Sequence, residues 1–379
     1  MTRARAASSA RASIRGTPTT DGEPSAAAGT SGHELAPAAA PFVPPYQPSW
    51  FDRVMALIDR LPGSYAVWYG VFALLCFALV TLARLVAGMP PFGDDLGLLA
   101  FSSLMLGFPA FLLHSLNRTA AGAFTAFEPA LQSPEEATLL RYRLTTTPAV
   151  LSLVFSLGGA ALALSLLFLS PETRSFSDAI YGPAFAVFFF GALAYFINSH
   201  GAYRVMYQLT QVSRIYDRHA RVQLGDLGPH FALSRLTSRA AIASILVVSG
   251  YLFGFAQLGS LTLSLAVLIP NLLLAGAAFV LPLTGAHRLL EAERYRVRKE
   301  ANQRMEAALS ELHQVIERGK FAEVPPLKDA ITALDIELNR LARIPTWPWN
   351  PATPRGVLAT VFLPVVIWLI QFGLGRLLG

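Results

Sequence analysis

The chain has 379 residues, 53% hydrophobic and only 14% charged, against roughly 25% charged for a soluble domain, which excludes an ordinary soluble globular protein. Its net charge of +6 fits the basic bias of one membrane face rather than a nucleic-acid partner. The one cysteine, Cys76, excludes an intrachain disulfide and a cysteine-based metal site.

Residues 1–48 are rich in Ala, Ser, Pro, Thr and Gly and are expected to be a disordered tail. Arg3, Arg5, Arg11 and Arg15 precede the first acid, Asp21. Such a start fits a bacterial tail, with an organelle transit peptide as the alternative. Residues 49–60 place Phe51, Val54, Met55, Leu57 and Ile58 at helical spacing, so an interfacial helix is expected there.

A bilayer core of about 30 Å needs about 20 apolar residues of helix. Uncharged runs of that order lie at 61–83, 96–113, 144–171 and 179–203. The run 240–287 is long enough for two spans joined by a turn at Gln257–Ser260, and 356–375 supplies a last one. The fold class expected is all-α: a polytopic membrane helix bundle of about seven transmembrane helices, six of them within 49–285. With the N-terminus inside, 27 of the 30 Lys and Arg fall on the inner side, which predicts N-inside, C-outside in a bacterial plasma membrane.

Between the spans, Ser133-Pro-Glu-Glu136 reads as a capping box opening a short helix toward Arg143. Val205, Leu209, Val212 and Tyr216 continue the fourth span as an amphipathic helix, and Pro229–Ser238 is expected on the membrane surface. Residues 286–344 carry two apolar stripes, Val297/Ala301/Met305/Ala308/Leu312/Val315 and Leu327/Ile331/Leu334/Leu338/Leu341. Gly319 and Pro325-Pro326 punctuate them, and Glu300 and Arg304 have the spacing of an ion pair. These features predict a cytoplasmic antiparallel helical hairpin of coiled-coil character. Either the stripes pack on each other, or one binds a protein partner or a second copy of the chain.

Residues 345–355 repeat proline every third position, the period of a polyproline II helix. Trp347 and Trp349 stand between these prolines as expected membrane-interface anchors, so the stretch reads as a stiff bracket before the seventh helix at 356–379.

No phosphate loop, GxSxG elbow, HExxH motif or CxxC pair occurs. The expectation is a protein without catalytic residues, metal or cofactor. His114, His200 and His287 each lie near the inner end of a span, where histidines either cap the interface or assemble a metal site. Within the spans the notable polar residues are Gln257, Asn271 after Pro270, Asn198 and Gln371, with Pro270, Asn271 and Gln257 the candidate site at a kinked helix. Gly250 and Gly254 form a GxxxG that permits close helix packing.

The stretches "LPGSYAVWYG" and "LGDLGPHFALSRLTSRAAIASIL", with a charged hairpin leading into "WPWNP", resemble a set of uncharacterised bacterial multi-span membrane proteins. In those proteins a cytoplasmic hairpin and a Trp-Pro motif precede the last span. The resemblance covers about residues 50–379 and implies architecture, with no activity to carry over. The functions expected are a non-enzymatic sensor, scaffold or assembly subunit working through the hairpin. The alternative is a channel or uncoupled transporter for a small solute.

Overall fold

Helix length sorts the elements into those that can cross a bilayer and those that cannot. The computed structural model describes residues 42–90, 96–169, 171–221, 226–256 and 275–349, with isolated positions at 224, 269, 273, 355, 356, 359, 362 and 366. Among the described residues all regular elements are helical. In order they are α1 (Trp50–Ile58), α2 (Tyr65–Val86), α3 (Leu96–Phe127), α4 (Ala137–Thr145) and α5 (Ala149–Leu169). Then come α6 (Pro171–Tyr181), α7 (Ala184–Arg218), α8 (Gly228–Ala256), α9 (Thr284–Glu317) and α10 (Val324–Ala342).

Helices α2, α3, α5, α7 and α8 are long and apolar enough to cross a membrane, which marks the chain as a membrane protein. They fall on the first five expected spans. The sixth and seventh lie largely outside the described residues. Leu74, Leu75 and Leu82 of α2 and Leu151, Val154 and Phe168 of α5 remain exposed, an outer surface suited to lipid rather than water.

Lipid supplies no hydrophobic drive between helices, so small residues and close backbones do the packing. α5 packs chiefly on α7, and α3 packs on both α8 and α2. A Cβ at Gly159 of α5 would lie 2.7 Å from the Tyr195 carbonyl of α7 and also strike Ser199. One at Gly107 of α3 would lie 2.9 Å from the Tyr69 carbonyl of α2. Gly250 of α8 sits against the Met105 sulfur in the same manner.

Three of these helices are longer than a bilayer core requires. The 35 residues of α7 extend about 52 Å, well beyond a core of about 30 Å. Its overhang joins those of α3 and α8 in a second hydrophobic core that includes Phe127, Leu144, Ile215, Tyr216, Leu236 and Leu283. This core draws in α4 and the start of α9 and forms a helical layer at one end of the bundle.

Several local expectations give way there. Pro229–Ser238 belongs to the continuous helix α8, and its Ala232, Leu233 and Leu236 are buried in this layer rather than lying on a membrane surface. Helix α3 continues through Phe127, well past the uncharged run that ends at Leu113. Ser133 makes no side-chain capping bond, although Pro134 does open the short 3₁₀ turn ahead of α4. The expected disordered tail reaches residue 48, yet order begins sooner. The Tyr142 hydroxyl donates to the Tyr46 carbonyl at 2.6 Å, and the Ala149 N–H donates to Gln47 O at 3.0 Å.

α9 ends where Gly319 adopts φ +70°. The Lys320 N–H reaches back to Val315 O and the Gly319 N–H to Ile316 O, each at 3.0 Å, the paired closure of a Schellman turn. Pro325 and Pro326 follow in the first turn of α10, which packs along α9. Glu300 pairs with Arg296 at 2.7 Å rather than with Arg304, because Arg296 bridges Glu293 and Glu300.

Candidate functional site

Where α7 leaves its apolar stretch, the chain buries an ion pair. Ser49 caps α1 and forms a capping box with Asp52, whose third helical position normally only returns a bond to the cap backbone. Here Asp52 does more. Its Oδ2 accepts from the Ser49 N–H at 3.0 Å and the Ser49 hydroxyl at 2.6 Å. The same oxygen accepts from the Thr147 N–H at 3.0 Å and the Thr147 hydroxyl at 3.3 Å.

Oδ1 accepts from Nη1 of Arg204 on α7. Arg204 Nη2 donates to Asn117 Oδ1 of α3 and to the Thr145 carbonyl at the end of α4, both at 2.8 Å. The two charged side chains are 0% and 6% exposed for Arg204 and Asp52 respectively. One salt bridge thus joins α1, α3, α4, the α4–α5 connection and α7 at the level where the spans meet the helical layer.

Burial alone pushes the Asp52 carboxyl up. The Arg204 charge, the Ser49 hydroxyl and the Thr147 N–H outweigh it and hold the group below its ordinary value of 3.8. Asp52 is therefore a carboxylate at neutral pH. The pair is enclosed, so it fixes geometry and presents no face to a substrate. Replacing such a pair by apolar residues is often near neutral, whereas removing one partner strands a buried charge.

The three histidines singled out from the sequence sit in separate surroundings. Nδ1 of His200 lies 2.8 Å from the Ser152 hydroxyl, and its ring packs 5.0 Å from Trp50 and 5.1 Å from Phe51. The Trp50 indole N–H donates to Ser156 at 3.1 Å. His114 stacks on Tyr65 at 4.5 Å, and its Nε2 lies 3.2 Å from Asp59, which also accepts from Arg118 at 2.7 Å. His287 stacks on Trp347 at 4.2 Å. Each ring has its own aromatic partner, and among the described residues no three His, Cys, Asp or Glu gather as a metal site.

The bracket is described only to Trp349, and Thr346–Trp349 bends rather than running as the expected extended rod. The cause is aromatic packing. Trp347 stacks on Trp349 at 4.4 Å, Trp349 on Phe279 at 5.3 Å, and both indoles rest on the core of the helical layer. The Thr346 carbonyl lies 3.1 Å from Nδ1 of His287. Both tryptophans are thereby half-buried against the protein itself.

Gln257, Pro270 and Asn271 lie outside the described residues. Gly250 sits at the α3–α8 contact, and Gly254 continues the α8 backbone. Asn198, one of the polar positions within the spans, lines an apolar cavity of about 210 Å³ with Pro109, Gly201, Ser244, Ala275 and Ala278.

Asp52 and Arg204 were not singled out by the sequence reading. Two signals pointed to them: the Ser49-x-x-Asp52 spacing, and the place of Arg204 as the first charge after 25 uncharged residues. Their pairing across 152 positions has no local signature. No family model, curated protein or solved structure matches the chain.

Proposed function

We propose that the protein is a non-enzymatic membrane sensor, scaffold or assembly subunit in which the Asp52–Arg204 lock couples the spans to a cytoplasmic helical hairpin formed by α9 and α10. The observation that carries this reading is the enclosed salt bridge itself. It ties four helices together where they leave the apolar band, and α7 runs on from it to contact α9. The stripe residues of α9 and α10 are the less exposed ones on each helix, as expected if they face each other. The further reading is a seven-span protein of a bacterial plasma membrane, N-terminus inside and C-terminus outside. Its hairpin face is available to a protein partner or to a second copy.

The test uses spin labels at Arg53 on α1 and Lys328 on α10, both exposed, in a Cys76→Ala background. A narrow distance distribution in the parent that broadens in Asp52→Asn supports the coupling. An unchanged distribution in a folded Asp52→Asn variant refutes it. A second reading, a channel or uncoupled transporter, draws on the apolar cavity beside Asn198. It predicts solute flux that falls when Gly201→Leu fills that cavity.

A further inference from the structure

On the helical layer, α4 and α7 enclose a cleft of about 160 Å³ lined by Arg143, Arg214, Arg218, Gln211 and His219. That is many times the roughly 10–15 Å³ a single water requires. The cleft gathers three arginines. Among the described residues no carboxylate pairs with any of them, and no acid is among the lining residues; Glu136 meets the lining residue His219 at 2.7 Å. Gln211 is 4% exposed, and its amide nitrogen is buried without a partner among the described residues. A buried donor with no acceptor costs free energy, and converging like charges repel. Both penalties are relieved by one ligand: an anion with several acceptor oxygens.

We infer that this cleft is a binding site for a small phosphate-bearing anion from the aqueous phase. Guanidinium forks match phosphate oxygens in geometry and charge, and the Gln211 amide adds a neutral donor at the closed end. Depth separates a soluble anion from a lipid headgroup. Gln211 and Arg218 lie seven and fourteen residues beyond Arg204 on α7, about 10 and 21 Å along the helix. The headgroup layer reaches only about 5–8 Å past the hydrocarbon core. The inference deepens the sensor reading, because α7 carries both the cleft and the lock.

The experiment titrates the full chain, in nanodiscs of zwitterionic lipid, with inorganic phosphate and pyrophosphate at fixed ionic strength, and reads the heat of binding. Saturable binding is expected. Arg214→Gln/Arg218→Gln should weaken it ten-fold or more, and Gln211→Met several-fold, with chloride failing to compete. Three results overturn the site: no saturation up to tens of millimolar, equal affinity in the arginine variant, or binding heat that appears only when anionic lipid is added to the nanodisc. The labels at Arg53 and Lys328 are then read with and without pyrophosphate. Binding without a distance change keeps the site and removes the sensor reading, whereas a failure to bind removes the site alone.

Discussion

Asp52→Asn removes the negative charge of the lock and leaves its shape. Arg204 then remains as a cation with 0% of its side chain exposed, facing only neutral acceptors: the new amide at position 52, the Asn117 amide oxygen and the Thr145 carbonyl. Stranding one member of a buried pair costs about 3–5 kcal/mol. For a chain of this size that lowers Tm by roughly 10 °C. Arg204→Met should cost a similar amount, because four donors would still converge on an unpaired Asp52 carboxylate. The double variant Asp52→Asn/Arg204→Met has no charge to strand and should recover most of the loss. Thermal unfolding in nanodiscs, followed by tryptophan fluorescence, measures all four proteins. An unchanged Tm in Asp52→Asn, or a double variant whose loss is the sum of the two singles, would refute the argument.

The same group sets an acid limit. The Asp52 pKa is depressed in the folded protein, so its contribution to stability is complete above the ordinary carboxylate value and is lost as pH falls through the lower folded one. Unfolding between about pH 4 and pH 2 should therefore be steeper in the parent than in Asp52→Asn, and identical slopes would assign the acid limit elsewhere. Gly159→Val places a branched side chain against the Tyr195 carbonyl, and overpacking of this kind costs about 1–3 kcal/mol or more. A drop in Tm and in monodisperse yield is the expected result. Leu334→Asp puts a charge on the inner stripe of α10 and should speed proteolysis within 320–345 while the spans stay protected, a difference visible on limited trypsin digestion.

The apolar runs were legible because a bilayer imposes length: about 20 residues without charge can do little else. Gly319 and Pro325-Pro326 were legible because backbone conformation restricts which residues close and open helices. The helical layer was not. Ala232, Leu233 and Leu236 occur beside Arg235 and Arg239, a mixture that reads locally as a surface helix, and only the overhangs of α3 and α7 make it a core. The bend over Thr346–Trp349 was hidden for a related reason. Proline spacing favours an extended chain, but stacking of Trp347 on His287 and of Trp349 on Phe279 bends it inward. The lock was hidden because a capping residue and a span-end arginine each have an ordinary local explanation, and their meeting is a property of the fold.

The whole account requires that the bundle cross a bilayer with the lock, the helical layer and α9 on the inner side. Membrane-impermeant thiol labelling of single cysteines in a Cys76→Ala background measures this directly in intact cells. Ala87 at the end of α2 and Ser175 on α6 should label from outside, and Ala307 on α9 only after the membrane is opened. Labelling of position 307 in intact cells, or protection of positions 87 and 175, would contradict it.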